Sequence, residues 1–185
     1  MLKSKLLILG AGIYGHLVED LARDIGYTEV AFLDDFSDVA IGKLDDYIKY
    51  KNVYEEAVVA IDEFYIREKY INKLVDSGFK VPSIIHPKSY VSASAVVGGG
   101  TVVEPMAVIN VGCNIGKGCI VEAGAVLGTN AVVGDYSHIA ANSTILYNCV
   151  LKPGTRTTPG ELFGGDPKLI GTKAWLPNYS FDDGV

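Results

Sequence analysis

Two groups of residues in this 185-residue chain have types and spacings that could do chemistry. The first is the run Gly10-Ala11-Gly12-Ile13-Tyr14-Gly15, with Asp34-Asp35 about twenty residues further on. Glycines at this spacing let backbone approach a phosphate at a helix N-terminus, and a carboxylate at the next strand end can hold ribose hydroxyls. The same glycines also serve close strand-to-helix packing, so both readings stand at this point. The second is His138, an imidazole able to move a proton near neutral pH.

The elements that position these groups follow from periodicity. Residues 6–9 form an apolar run that ends in the glycines, after which Leu17, Val18, Leu21 and Ala22 recur at helical spacing. Residues 29–33 and 57–61 read as further strands. Residues 66–77 read as a helix with Ile66, Tyr70, Leu74 and Val75 on its apolar side and Gly78 as its stop. Residues 1–82 therefore predict a small, open, Rossmann-like βαβ domain.

Between residues 85 and 151 the pattern changes. An aliphatic residue falls on every sixth position, from Ile85, Val91 and Val97 through Val133, Ile139 and Ile145 to Leu151, and a small residue follows each by four. Six is neither a helical period nor a strand's two, so one unit is repeating. Three short strands and three corners per turn of about 18 residues make a triangular solenoid, a parallel β-helix. Residues 83–160 are assigned to it. The aliphatic track breaks at residues 155–160, which leaves 161–185 as a C-terminal tail.

The solenoid places side chains. His138 comes five after the inward Val133 and one before the inward Ile139, so its ring should lie outside the prism. Glu122 is one turn below and two residues along, roughly 8 Å away by strand spacing. Arg156 stacks one turn above His138, where it could hold a phosphate or be solvated. His86, Glu104 and Glu122 share one slot 18 residues apart and read as a solvated or inter-subunit column rather than a site.

Composition narrows the function classes. A hydrophobic share of 49% fits a globular protein, and the net charge of −6 comes mostly from residues before Pro82, where 15 acids face 10 bases. No basic stripe exists, so nucleic acid is not an expected partner. Cys113, Cys119 and Cys149 all occupy the small-residue slot, and His16, His86 and His138 are too widely spaced for a ligand motif, so no metal site is expected. The short apolar run after Lys3 and Lys5 fits neither a signal peptide nor a membrane span, and the expectation is a cytoplasmic protein without membrane insertion.

A nucleotide-binding-like domain feeding into hexapeptide repeats resembles the bacterial sugar acyltransferases of the sialic-acid O-acetyltransferase and UDP-4-amino-sugar N-acetyltransferase type. The resemblance is carried by residues 7–15, Phe32-Leu33-Asp34-Asp35-Phe36, Ile84-Ile85-His86-Pro87, and Val133-Gly134-Asp135-Tyr136-Ser137-His138-Ile139. Phe163-Gly164-Gly165-Asp166-Pro167-Lys168 is similar to the family's closing Gly-x-Pro-Ala-Lys segment without its Ala. The resemblance implies a left-handed β-helix, a homotrimer, acetyl-CoA in the groove between two solenoids, and a sugar or nucleotide-sugar acceptor offered by the N-terminal domain. For the catalytic role the slot reading offers His138, the only histidine in that region, with Glu122 as its partner. Gly10, Gly12, Tyr14, Gly15, Asp34, Asp35, Asp62, Glu63, Thr129 and Asn130 fall at substrate positions, and Tyr147, Arg156, Gly165 and Lys168 at acetyl-CoA positions.

The chain also departs from that pattern. The family's usual base is a His nine residues before the one matched by His138, followed by an acidic residue; here those places hold Thr129 and Asn130. A family Asn falls at Glu122, the glycine-loop His at Tyr14, and a Gly-Asn pair at Asp62-Glu63, whose carboxylates would repel a diphosphate. Three accounts follow. His138 is itself the base, oriented by Glu122; or an amine acceptor arrives neutral and needs only proximity; or transfer is lost and the protein is a non-catalytic trimeric binding or scaffold protein.

Overall fold

The computed structural model describes residues 3–164. Strand β1 (Lys3–Leu9), helix α1 (Ile13–Asp24), strand β2 (Tyr27–Leu33), strand β3 (Glu56–Val59) and helix α2 (Phe64–Asp76) form the first unit. The sheet is parallel with order β2-β1-β3. Leu6, Leu7, Ile8 and Leu9 of the central strand are completely buried because both sheet faces are covered. Leu6 and Ile8 pack with Val18, Leu21 and Ala22 of α1, while Leu7 and Leu9 pack with Tyr70, Ile71 and Leu74 of α2.

The second unit is built of two-residue strands that recur every six residues and pair in parallel every 18. Three faces result. One stacks Ile84, Val102, Ile120 and His138; the second Tyr90, Val108, Val126, Thr144 and Leu162; the third Val96, Asn114, Val132 and Val150. Inside, Val103, Ile109, Ile115, Val121, Leu127, Val133, Ile139, Ile145 and Leu151 share one core with Ala107, Cys113, Cys119, Ala125 and Ala131. Ile85, Val91 and Val97 of the first turn are only partly buried, since no turn lies below them to close that end.

A third six-residue track emerges at the corners. Positive φ occurs at residues 100, 106, 112, 118, 124, 130, 136, 142, 148, 154 and 160. Gly fills six of these places and Asn three, the residue types that enter the left-handed region at least cost. Met106 and Tyr136 are the exceptions. The pairing also passes the expected end at residue 160, because Leu162–Phe163 add to Thr144–Ile145. Thr157 takes the inward slot there without an orphaned hydroxyl: its Oγ1 accepts from the Ala140 amide at 2.8 Å and pairs with Ser143 Oγ at 3.1 Å.

Helix α2 buries Tyr70 and Leu74 as expected and packs Ile66 on the core, but its inward face is rotated toward Arg67 and Ile71 and away from Val75. Arg67, Tyr70, Ile71 and Leu74 are its buried residues, whereas Val75 is exposed. The reason is Arg67, which is 1% exposed and joins the two units. Its Nε donates to Gly118 O, Nη2 to Tyr136 O, and Nη1 to both Ile61 O and Asp62 O, all at 2.7–2.8 Å. Two of those carbonyls sit at β-helix corners and two in the loop after β3. Replacing Arg67 by Met leaves them unpaired at roughly 1–3 kcal/mol each, so the unfolding free energy should fall by at least about 4 kcal/mol, read from the midpoint of chemical denaturation.

Candidate active site

The glycine run forms the turn between β1 and α1, and its three glycines do different work. A side chain on Gly10, whose φ is +107°, would meet the Ala60 carbonyl at 2.5 Å, and one on Gly15 would collide with the Gly10 carbonyl oxygen. Those two serve packing. Gly12 opens α1 with nothing within 4 Å of where a Cβ would stand, and no side chain caps the helix's first N–H groups. Asp34 holds the turn in shape: its Oδ2 accepts from Ala11 N and its Oδ1 from Phe36 N, each at 2.8 Å. Asp35 Oδ1 accepts from Leu44 N at 3.2 Å. Both aspartates therefore spend an oxygen or more on backbone amides.

A pocket of about 320 Å³ lies over this turn, lined by Gly10, Gly12, Ile13, Tyr14, Asp34, Ala60, Ile61 and Asp62. A second, of about 130 Å³, lies where α2 meets the β-helix and is lined by Asp62, Glu63, Phe64, Arg67, Tyr136, His138, Gly154 and Arg156. Asp62 belongs to both.

His138 is 4% exposed because the N-terminal unit covers its face of the β-helix. Its Nε2 lies 2.5 Å from Glu122 Oε1. The roughly 8 Å set by strand spacing is thus bridged by the two side chains. Glu122 is steadied in turn by Ala141 N, which donates to Oε2 at 2.8 Å. A carboxylate only accepts, so the neutral imidazole donates from Nε2 and carries its lone pair on Nδ1. That Nδ1 is buried and has no hydrogen-bond partner among the described residues. Burial holds the His138 pKa below its ordinary 6.5, opposed by Glu122 and assisted by Arg156. The ring is neutral at pH 7 and able to accept a proton.

The column of His86, Glu104 and Glu122 is largely covered: His86 and Glu104 are buried, and the Glu122 side chain keeps 28% of its exposure. His86 is buried, with Nε2 3.0 Å from Asp24 Oδ2 and Nδ1 accepting from Lys88 N, and ties the first turn to the end of α1. Glu104 is also buried, and its Oε2 accepts from Ala123 N just as Glu122 does from Ala141 N one turn higher. Burial pushes its carboxyl pKa up. Tyr14 reaches toward these groups, and its hydroxyl is buried without a partner among the described residues.

The structure brings together Tyr14, Asp62, Glu63, Glu122, His138 and Arg156, and leaves other predicted residues elsewhere. Thr129 and Asn130 form a corner between the two faces that do not carry His138, and neither lines its pocket. Asn130 has φ +59°, and its Nδ2 donates to Asn148 Oδ1 at 3.1 Å, a ladder that supports the corner. Tyr147 is exposed one turn above Thr129. Gly165 and Lys168 lie outside the described residues. Sequence reading missed Arg67, Phe64 and Gly154. Arg67 was detectable, since a cation at the spacing of Tyr70, Ile71 and Leu74 interrupts an otherwise apolar helical stripe.

A Rossmann-like unit is seated on a hexapeptide β-helix, and comparison with known proteins finds each of these two parts. Residues 5–74 match the model of the PglD N-terminal domain, and residues 112–146 match that of the bacterial transferase hexapeptide (six repeats). The family resemblance and the left-handed β-helix expected from sequence are both borne out. The acetyltransferase domain of PglB from Neisseria gonorrhoeae FA1090, in complex with acetyl coenzyme A, is similar with 28% identity and a TM-score of 0.73, over 84% of this chain and 88% of that one. WeeI from Acinetobacter baumannii AYE shares the fold at 19% identity and TM-score 0.78, over 90% and 84%. So does PerB from Caulobacter crescentus, in complex with CoA and GDP-perosamine, at 22% identity and TM-score 0.57, over 85% and 90%. Among the described residues no group of His, Cys, Asp or Glu could hold a metal ion, and no helix is long and apolar enough to cross a membrane.

Glu122 favours the imidazolium electrostatically, so its removal has a definite sign. In Glu122→Gln the His138 pKa should fall further below its wild-type value, measured by NMR titration of the ring.

Proposed function

We propose that this protein is an acetyl-CoA-dependent acyltransferase that acetylates an amino or hydroxyl group of a nucleotide-activated sugar, with His138 as the base. The observation that carries this reading is the unpartnered Nδ1 of His138, left with its lone pair by the Nε2 bond to Glu122, on a residue that lines the pocket between the two units. Similarity to the acetyl-CoA-bound PglB domain supports the donor.

The steps balance as follows. The acceptor N–H or O–H gives its proton to Nδ1 as nitrogen or oxygen attacks the thioester carbon. The C–S bond then breaks, the new amide or ester forms, and the proton on His138 passes to the departing CoA sulfur. Glu122 stabilises the imidazolium that exists between these transfers. Gly12 and the free start of α1 suit a phosphate of the nucleotide, and the pocket over them runs toward His138 through Asp62. Arg156, at the same pocket, is placed to pair with an anionic part of either substrate.

The donor would approach from a neighbouring copy. Two faces of the β-helix present outward residues such as Tyr90, Val96 and Val150 that are more than half exposed, a surface suited to a trimer whose cleft receives acetyl-CoA. Thr129, Asn130 and Tyr147 lie on the corner between those faces.

The test is steady-state transfer from acetyl-CoA to a panel of UDP- and GDP-linked amino sugars and their hydroxyl counterparts. His138→Ala should lower kcat by roughly 10²–10⁴-fold, the usual contribution of a positioned base. Equal rates would remove His138 from the mechanism. The wild-type pH profile should hold its plateau to lower pH than an ordinary histidine allows, because the lowered pKa keeps the ring unprotonated there. Absence of transfer to every acceptor would favour a non-catalytic binding protein.

A further inference from the structure

The hydroxyl of Tyr14 is buried without a hydrogen-bond partner among the described residues, although it stands over a column of titratable side chains. An orphaned polar group costs free energy unless it is used. Helix α1 lies along that column. Its last residue, Asp24, bonds His86 at the foot, and Tyr14 sits ten residues nearer the helix start, about 15 Å along the axis, among the storeys of Glu104 and Glu122. The charged groups that act on the phenol are Glu104, Arg67, Asp62 and Glu122, and Arg67 is engaged with four backbone carbonyls. Burial, then Glu104, holds the phenol pKa well above its ordinary value, so Tyr14 keeps its proton and is a donor.

Glu104 is the second unused group. It is 7% exposed, and among the described residues it accepts one hydrogen bond, from Ala123 N to Oε2, and forms no ion pair. A buried carboxyl without a cation, one storey below another carboxylate, is held in its acid form. Oε2 is then the carbonyl oxygen that accepts from the amide, and Oε1 carries a proton that needs an acceptor. Glu122 is the converse. Its carboxylate accepts from His138 Nε2 and Ala141 N and has lone pairs to spare. One network satisfies all three groups: Glu104 Oε1–H donates to Tyr14 Oη, Tyr14 O–H donates to Glu122, and His138 Nε2–H donates to the same carboxylate.

We propose that Tyr14 is a positioning residue for the base: backed by the protonated carboxyl of Glu104, its hydroxyl donates to Glu122 and fixes that carboxylate, and with it the Nε2–H tautomer of His138. The inference rests on the reading of His138 as the base. No proton travels along the network during transfer. It holds one negative charge on Glu122 and spreads it, as a buried network does when every member is satisfied. Tyr14 also lines the pocket over the glycine turn, so that pocket and the base share one side chain.

NMR titration of the His138 ring reads the network without any substrate. A donor on Glu122 draws off part of the charge that favours the imidazolium, so Tyr14→Phe, which keeps the ring, should raise the His138 pKa and admit the Nδ1–H tautomer, seen in the ring nitrogen shifts. Glu104→Gln offers the same carbonyl and an N–H in place of the acid proton, and should leave the His138 pKa at its wild-type value. Arg156 and Asp62, the other charged groups that act on His138, are untouched by either variant. In transfer assays Tyr14→Phe should lower kcat roughly 10-fold with the acceptor KM unchanged, the scale of one hydrogen bond to a charged group. An unchanged or lowered His138 pKa in Tyr14→Phe overturns the proposal, and so does a fall in Glu104→Gln, the mark of an ionised Glu104. An effect of Tyr14→Phe on KM alone overturns it in favour of a substrate contact. A wild type that transfers to no acceptor, with the expected NMR shifts, keeps the network and overturns only the transferase reading.

Discussion

One guanidinium holds the molecule's two halves in register. Arg67 is anchored in a helix of the first unit and ends on carbonyls of two different β-helix corners, Gly118 and Tyr136, and of the loop that carries Asp62. A planar fork of donors suits this better than a single ammonium, because the acceptors lie on different sides of it. The buried helix stripe, the seat of Tyr136 at 4% exposure and the meeting of the two pockets at Asp62 all follow from that placement.

The charge around the site is divided by depth. Glu104 and Glu122 each give one oxygen to the amide of the next turn, a repeated device that lets a carboxylate live on a covered face. Only Glu122 finds a histidine for its second oxygen. The residue equivalent to His138 one turn lower is Ile120, so Glu104 has an apolar neighbour there and its carboxyl resists ionisation. Two otherwise equivalent slots thereby acquire different electrostatics from a single change in the stacked residue.

Much of this architecture is written in local pattern. The inward aliphatic track and its small-residue companion specify the triangular core because each position repeats the same steric problem. The corner track of Gly and Asn was equally available, yet its meaning depends on φ, which side-chain hydrophobicity does not reveal. The candidate site was less legible for a different reason. Which outward slot faces solvent depends on where the first unit sits, so the covered column of His86 and Glu104 looked like surface. Thr129 and Asn130 were close to His138 in sequence but belong to another corner, since six residues advance the chain by a whole face.

That last relation sets a rule for how such a chain can change length. Adding or removing six residues within the β-helix preserves the core pattern but turns everything beyond it by about 120°, one third of a circuit. Where the change precedes His138, that residue would look away from the first unit, and where it falls between Glu122 and His138 their bond would be lost. Only steps of 18 keep outward groups aligned. Between Glu122 and His138 even that step would insert a storey between base and carboxylate. The segment joining them is therefore closed to insertion, whereas the stack above Arg156 can grow by whole turns without disturbing the site.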